Sequence, residues 1–331
     1  MEKQVLGRTG RLVSVVGLGT WQLGADWGTV TDDQARDVLE ASLESGVTFY
    51  DTADVYGDGR SEKAVGAFLA DHPDAGITVA TKMGRRMDQV PENYVLANFR
   101  EWTDRSRRNL GVETLDLVQL HCPPTAVYSD DEVYDALDTL VADGAVAAYG
   151  VSVETVDEAL TAIARPGVAT VQIILNAFRL KPLEKVLPAA SEAGVGVVAR
   201  VPLASGLLSG RYTRETEFAD DDHRKFNRKG ESFDVGETFS GVPFETGVDA
   251  ADRFAELTRT SLTQNLMPAQ AAIAWVWQQP GVSTVIPGAR TAEQAHLNAA
   301  AGAAEVLGPL FSSGVREIYD DSIREHVHEK W

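Results

Sequence analysis

The chain has one cysteine, Cys122, in 331 residues. That excludes an intramolecular disulfide and any zinc or iron–sulfur centre built on several thiolates. No apolar run approaches the ~20 residues needed to span a bilayer, and Met1–Gly10 is too polar for a secretory leader, so the sequence predicts a cytoplasmic protein that does not enter a membrane. Positive charge is also short: the formal net charge is −19. Such a surface repels phosphate backbones and anionic lipid, which argues against nucleic acid as a partner. There is no low-complexity tract and no interdomain linker. There is no Gly-x-Gly-x-x-Gly turn after the first strand either: Gly17-Leu18-Gly19 lacks the third glycine, which excludes the common dinucleotide-binding sheet.

What the sequence does contain is alternation. Short Val/Ile-rich runs occur at Val15–Gly17, Thr48–Tyr50, Ile77–Thr81, Leu115–Leu120, Ala147–Val151, Thr170–Ile174, Val195–Val201 and Ser283–Ile286. Segments of helical period separate them at Asp32–Glu44, Ser61–Leu69, Pro91–Leu110, Asp130–Ala142, Val156–Ala164, Leu183–Ala193, Pro268–Gln279 and Ala292–Ala303. Strands joined through helices are parallel, and continuous apolar runs are buried on both faces. Eight such units predict an α/β chain folded as a (β/α)8 TIM barrel, with 1–331 as one domain. Gln4–Leu6 and Leu12–Val13, joined through Thr9-Gly10, read as a hairpin plugging the barrel floor. The long polar stretch from Gly206 to Asp249 reads as a loop closing over a ligand or as an insertion without function. Further helices are expected at Ala250–Leu262 and, C-terminally, at Val315–His328.

In such barrels chemistry sits at the C-terminal strand ends. The second strand delivers Asp51, and its loop Tyr56; the third delivers Lys82; the fourth, His121. Singly, each has an ordinary structural explanation, as a turn cap, a rim aromatic, a surface lysine or a core histidine. Together, on three neighbouring strands, they suit carbonyl reduction. Hydride arriving at a carbonyl carbon creates an alkoxide that needs a proton donor in a polar pocket. A free tyrosine, pKa ~10, is a reluctant donor; a nearby ammonium favours its phenolate, and a carboxylate keeps that ammonium charged. Tyr56 is therefore the expected acid/base, Lys82 its modulator and Asp51 the partner of the lysine, with His121 orienting the carbonyl oxygen. Trp21, Trp27 and Trp102 are candidates for an apolar substrate pocket.

At these residues the chain resembles the aldo-keto reductase superfamily over nearly its whole length. The similarity runs through Leu6-Gly7-Arg8-Thr9-Gly10, Val16–Trp21, the Asp51…Tyr56 segment with Ser61-Glu62, Lys82 and His121, then Gly150-Val151-Ser152, Gln172 with Asn176, Pro202–Gly210, and Ile286-Pro287-Gly288-Ala289-Arg290. The resemblance implies NADP(H), preferred over NAD(H), as cofactor, no metal, and a small carbonyl compound as substrate. It implies cofactor contacts from Gly19, Thr20 and Trp21 at the first strand, and from Ser152 and Gln172 on the nicotinamide amide. A pyrophosphate loop is implied at Pro202, Leu203, Ser205, Gly206, Leu208 and Gly210, with Arg200 just before it beside the nicotinamide. Gly288, at a helix start, would let backbone approach a phosphate, and Arg290 would grip the 2′-phosphate. Gln294 and Asn298, one turn apart, would read the adenine. The chain departs from the family at Arg200, where many relatives carry a nicotinamide-stacking aromatic, and at Val153, where an asparagine is common.

The expected activity is NADP(H)-dependent reduction of aldehydes or ketones with Tyr56 as proton donor. Two other readings fit the same residues: a Schiff-base lyase using Lys82, and a non-catalytic NADP(H)-binding subunit.

Overall fold

A computed structural model describes residues 1–24 and 30–331 of the chain; Trp27 lies outside the described residues. Eight parallel strands, β3 (Leu18–Gly19), β4 (Phe49–Asp51), β5 (Thr78–Met83), β6 (Leu117–His121), β7 (Tyr149–Ser152), β8 (Val168–Ile174), β9 (Gly196–Arg200) and β10 (Val282–Ile286), are hydrogen-bonded in sequence order. The segment expected as Val15–Gly17 is the seam that closes the ring. Gly17 N donates to Val285 O (2.8 Å), and Val285 N to Val15 O (3.0 Å), on the β10 side, whereas Leu18 and Gly19 pair with Tyr50 and Asp51 of β4. One short stretch thus serves two neighbours in succession, which moves the strand three residues on from its apolar run. The result is the (β/α)8 TIM barrel.

The hairpin, β1 (Lys3–Val5) and β2 (Leu12–Ser14), closes the floor. Leu6 and Val13 cluster there with Phe49, Ala80, Leu117, Val198 and Ile286. A Cβ on Gly7 would stand 2.0 Å from Gly196 N, so glycine is required for the hairpin to lie this close to β9. Arg8 fastens the same turn to the carbonyls of Arg165, Pro166, Val168 and Ala193.

The outer helices are α1 (Asp32–Glu44), α2 (Arg60–Asp71), α3 (Leu96–Leu110), α4 (Asp131–Ala142), α5 (Val156–Ile163), α6 (Pro182–Ala193), α7 (His223–Phe226), α8 (Phe244–Ser261), α9 (Pro268–Trp277), α10 (Ala292–Ala300), α11 (Gly308–Ile318) and α12 (Arg324–Val327). Capping boxes at Thr31 with Gln34 and Thr155 with Glu158 start α1 and α5. The helix expected from Pro91 begins instead at Leu96. Pro91–Asn93 makes only a 3-10 turn, Tyr94 is buried against Phe99 and Trp102, and Val95 is extended just before the α-helix starts. Trp102 is consequently a core residue on α3 and not a pocket wall. The C-terminal helix starts earlier than expected, at Gly308-Pro309, and passes through a π-helical turn at Tyr319–Ile323. No described helix is long and apolar enough to cross a membrane.

The polar stretch after Gly206 folds into a strap. Buried Asn227 bonds to Thr238 Oγ1 and to the amides of Ser232 and Phe233. Tyr212, Phe218, Phe239 and Phe244 pack edge-on or tilted with centroids 5.0–6.4 Å apart. The strap is tied to the barrel where Asn176 Nδ2 donates to Ser240 Oγ (2.8 Å) and Arg179 Nη2 to Ser240 O (3.2 Å).

Candidate active site

The strand pleat places side chains two residues apart on the same face. Two residues beyond the floor residues Phe49, Ala80, Leu117 and Val198 stand Asp51, Lys82, Gln119 and Arg200, so each of these strands carries an apolar group at the bottom of the barrel and a polar one toward its mouth. Lys82, 1% exposed, forms an ion pair with Asp51 Oδ1 and donates to Thr52 O (2.9 Å) and Tyr56 Oη (3.3 Å). Asp51 Oδ2 accepts from Gln172 Nε2 (2.7 Å) and Gln119 Nε2 (3.2 Å). The His121 ring meets the Tyr56 ring edge-on, with centroids 5.9 Å apart. All four candidate catalytic residues converge, and Gln119, with nothing but its place in an apolar strand to mark it, is a further member of the network.

The electrostatics follow from burial opposed by charge. Burial pulls the Lys82 ammonium down, but Asp51 and Tyr56 outweigh that and hold its pKa above the ordinary value. Burial raises the Tyr56 phenol, and Lys82 only partly opposes it. The expected net lowering of Tyr56 does not occur, because desolvation of a phenolate in this pocket exceeds the attraction of an ammonium that Asp51 already compensates. Burial, then Arg85, Lys82 and Arg200, hold His121 well below its usual value, so its imidazole is neutral; its Nδ1 is buried without a hydrogen-bond partner.

Beside Tyr56 opens a cleft of about 410 Å³ that runs across the barrel mouth to Arg290. Of the residues expected to touch a cofactor, Gly19, Thr20, Trp21, Gln172, Arg200, Pro202, Leu203, Ser205, Gly206, Gly288, Arg290, Gln294 and Asn298 lie on its wall. Ser152, Leu208 and Gly210 do not. The Ser152 hydroxyl accepts from Cys122 Sγ (3.4 Å), Leu208 is fully buried in the core, and Gly210 ends a turn that abuts Pro268. Several wall residues have structural partners that the sequence did not reveal. Ser205 Oγ donates to Glu237 O (3.1 Å) and accepts from Phe239 N (3.0 Å), holding the strap. Gln294 Oε1 accepts from Arg290 N (2.9 Å), and Asn298 Nδ2 donates to Gly288 O (3.1 Å), so both fix the loop that carries Arg290.

The strap supplies the opposite wall through Arg211, Tyr212, His223, Arg224 and Glu237. Trp21 packs against Tyr56 (6.2 Å) and against His223 (5.1 Å) between ring centroids. Arg200 departs from an aromatic platform in a specific way. Its guanidinium pairs with Glu154 (2.8 Å) and Glu237 (2.7 Å) and donates to Val153 O (2.9 Å), while Arg85 pairs with Glu154 (3.4 Å) and donates to His121 O (3.1 Å). Burial pushes the adjoining Cys122 thiol up to about 12. Cys122, Glu154 and Glu237 offer donor atoms within 4.8 Å of one another, but two guanidinium groups already balance the two carboxylates. The backbone here is held off its preferred regions: Cys122 has φ 47° and Val201 φ 57°, the latter anchored where Asn176 Nδ2 donates to Val201 O (2.8 Å).

Comparison with known proteins places this geometry. Over 294 residues the chain is 29% identical to the aldo-keto reductase YhdN of Bacillus subtilis, covering 88% of this chain and 85% of that protein. It is 32% identical over 305 residues to an uncharacterised oxidoreductase of Mycobacterium tuberculosis, covering 89% and 86%. Among solved structures, the glycerol dehydrogenase of Gluconobacter oxydans superposes with a TM-score of 0.74 at 31% identity, covering 96% of this chain and 93% of that one. A model of the aldo/keto reductase family matches residues 15–318, and the chain accordingly belongs to that family of oxidoreductases.

Proposed function

We propose that this protein reduces small aldehydes or ketones to alcohols with NADP(H) as hydride carrier and Tyr56 as proton donor. The observation that carries the reading is the placement of Tyr56 Oη, 3.3 Å from the Asp51-paired Lys82 ammonium, on the wall of a cleft that ends at Arg290. The residues present fit a phosphorylated dinucleotide. On a chain of net charge −19, the cleft is lined by Arg211, Arg290 and the Asp222-paired Arg224. Arg290 beside the start of α10 suits a 2′-phosphate, the feature that distinguishes NADP(H) from NAD(H).

When bound, the dinucleotide supplies the hydride. The chain's residues do the rest. Tyr56, its proton held by burial, gives that proton from Oη to the carbonyl oxygen as negative charge develops. Lys82 stabilises the resulting phenolate, and Asp51 keeps Lys82 charged and aimed. Neutral His121 offers one N–H to orient the carbonyl oxygen without adding charge. The strap limits entry of water to the cleft. The lyase reading is disfavoured because Lys82, charged and bonded to three oxygens, is a poor amine nucleophile.

The purified protein should oxidise NADPH in the presence of small aldehydes. Tyr56→Phe should lower kcat by about 10²–10⁴-fold while NADPH still binds. Unchanged turnover in Tyr56→Phe refutes the proton-donor role, and NADPH binding without turnover in the wild type identifies a cofactor-binding subunit. Equal affinity for NADH and NADPH removes the assignment to Arg290.

A further inference from the structure

The wall beside Tyr56 and Gln172 carries a buried cation, Arg200, which is 7% exposed. A positive charge at this place opposes binding of an oxidised nicotinamide, which is itself cationic, and is indifferent to the neutral reduced ring. The structure balances it. Glu154, in the loop after β7, pairs with Nη2 of the guanidinium, and Glu237, from the strap, pairs with Nη1. Arg85 shares Glu154, and the two guanidinium groups oppose the burial that raises the Glu154 pKa; with both carboxylates ionised the four groups sum to zero charge. The adjoining Cys122 thiol adds none, since burial keeps it protonated. Of the two carboxylates only Glu237 also lines the cleft, and it is therefore the one facing a ligand.

We infer that Glu237 is a specificity-determining residue for the redox state of the cofactor: by neutralising Arg200 from the strap, it allows the oxidised dinucleotide to bind alongside the reduced one. The inference rests on the NADP(H) reading above. It assigns the strap a role beyond covering the cleft, because the strap delivers the compensating charge. Seating of Glu237 depends on its neighbours: Ser205 Oγ donates to the Glu237 backbone carbonyl, and the Glu237 amide donates to Asp234 O (3.0 Å).

The experiment is a pair of titrations, NADP⁺ and NADPH separately, against wild type, Glu237→Gln, Glu154→Gln, Arg200→Gln and the Arg200→Gln/Glu237→Gln double variant. Each variant is first checked for native circular dichroism. The two dinucleotides make the same phosphate and adenine contacts, so the ratio Kd(NADP⁺)/Kd(NADPH) isolates the nicotinamide end. Through an effective dielectric of about 20, an uncompensated charge about 10 Å from the ring should raise that ratio by about tenfold or more in Glu237→Gln. Glu154→Gln should move it the same way and stands in if Glu237→Gln does not fold. Arg200→Gln should lower the ratio, and the double variant, again neutral, should return it to within about threefold of wild type. A ratio that stays flat, or affinities that fall together in both single carboxylate variants, overturns the inference while leaving NADP(H) binding intact. A wild type that binds neither dinucleotide overturns the cofactor reading and this inference with it.

Discussion

The floor and the mouth of the barrel are made from the same strands and obey opposite rules. At the floor, Leu6, Val13, Phe49, Ala80, Leu117, Val198 and Ile286 form a buried apolar cluster. Two residues along the same strands the chain buries an acid, an ammonium, an amide and a guanidinium. The floor stabilises by excluding water; the mouth costs desolvation energy and recovers part of it through ion pairs and charge-assisted hydrogen bonds. The difference shows how a barrel separates stability from chemistry over a rise of two residues.

The comparison breaks most sharply at Lys82. Lys82→Met leaves Asp51 buried with only two amides as partners, and should destabilise the fold by about 3–5 kcal/mol. Any folded fraction should also show alcohol oxidation shifted to higher pH, because the only group that lowers the Tyr56 pKa among its leading neighbours is gone. Loss of stability without that shift would make Lys82 a purely structural ion. At the floor, Leu6→Ala should cost about 2–5 kcal/mol in denaturant unfolding and leave Kd for NADPH unchanged at temperatures where the protein stays folded. A parallel loss of binding would mean that floor and mouth are not independent.

The smallest of these effects sharpens the comparison from the other side. Asp54 is fully buried at the mouth, both carboxylate oxygens lack hydrogen-bond partners, and burial followed by Glu62 raises its pKa to about 7 against the pull of Arg86 and Arg105. The folded pKa is above the unfolded one, so the folded state binds the extra proton. Stability from the neutral carboxyl is complete below about pH 4 and is lost as pH rises toward 7. Asp54→Asn should therefore match wild type near pH 4 and gain increasingly up to pH 7, reaching on the order of 2–4 kcal/mol and level above that. A gain independent of pH would contradict a titrating Asp54.

The residues that the sequence disclosed best are those whose neighbours are close along the chain or fixed by the barrel's own repeat. Asp51, Lys82 and His121 end consecutive parallel strands, and strand order alone brings them together. Thr9-Gly10 in the hairpin was legible for a similar reason, as a turn between two short strands, whereas the close approach that requires Gly7 was not. Arg200 was legible only as a departure. Its partners come from the loop after β7 and from a strap more than thirty residues downstream, Glu154 and Glu237, and nothing in either local stretch marks them. Helical spacing puts Gln294 and Asn298 on one face of α10, but spacing does not say that their amides bond the loop backbone.

By itself, then, the amino-acid order determined the alternation of strand and helix, the eight-unit count, the floor hairpin and the set of groups presented at the mouth. These depend on periods of 2 and 3.6 residues and on turn chemistry, which act over a few residues. Tertiary structure decided the charge state of Tyr56 and His121, the neutralisation of Arg200 and the folding of the strap onto the cleft. Those are set by desolvation and by Coulomb interactions between groups far apart in the chain, and such energies exist only once burial has fixed both the distance and the dielectric.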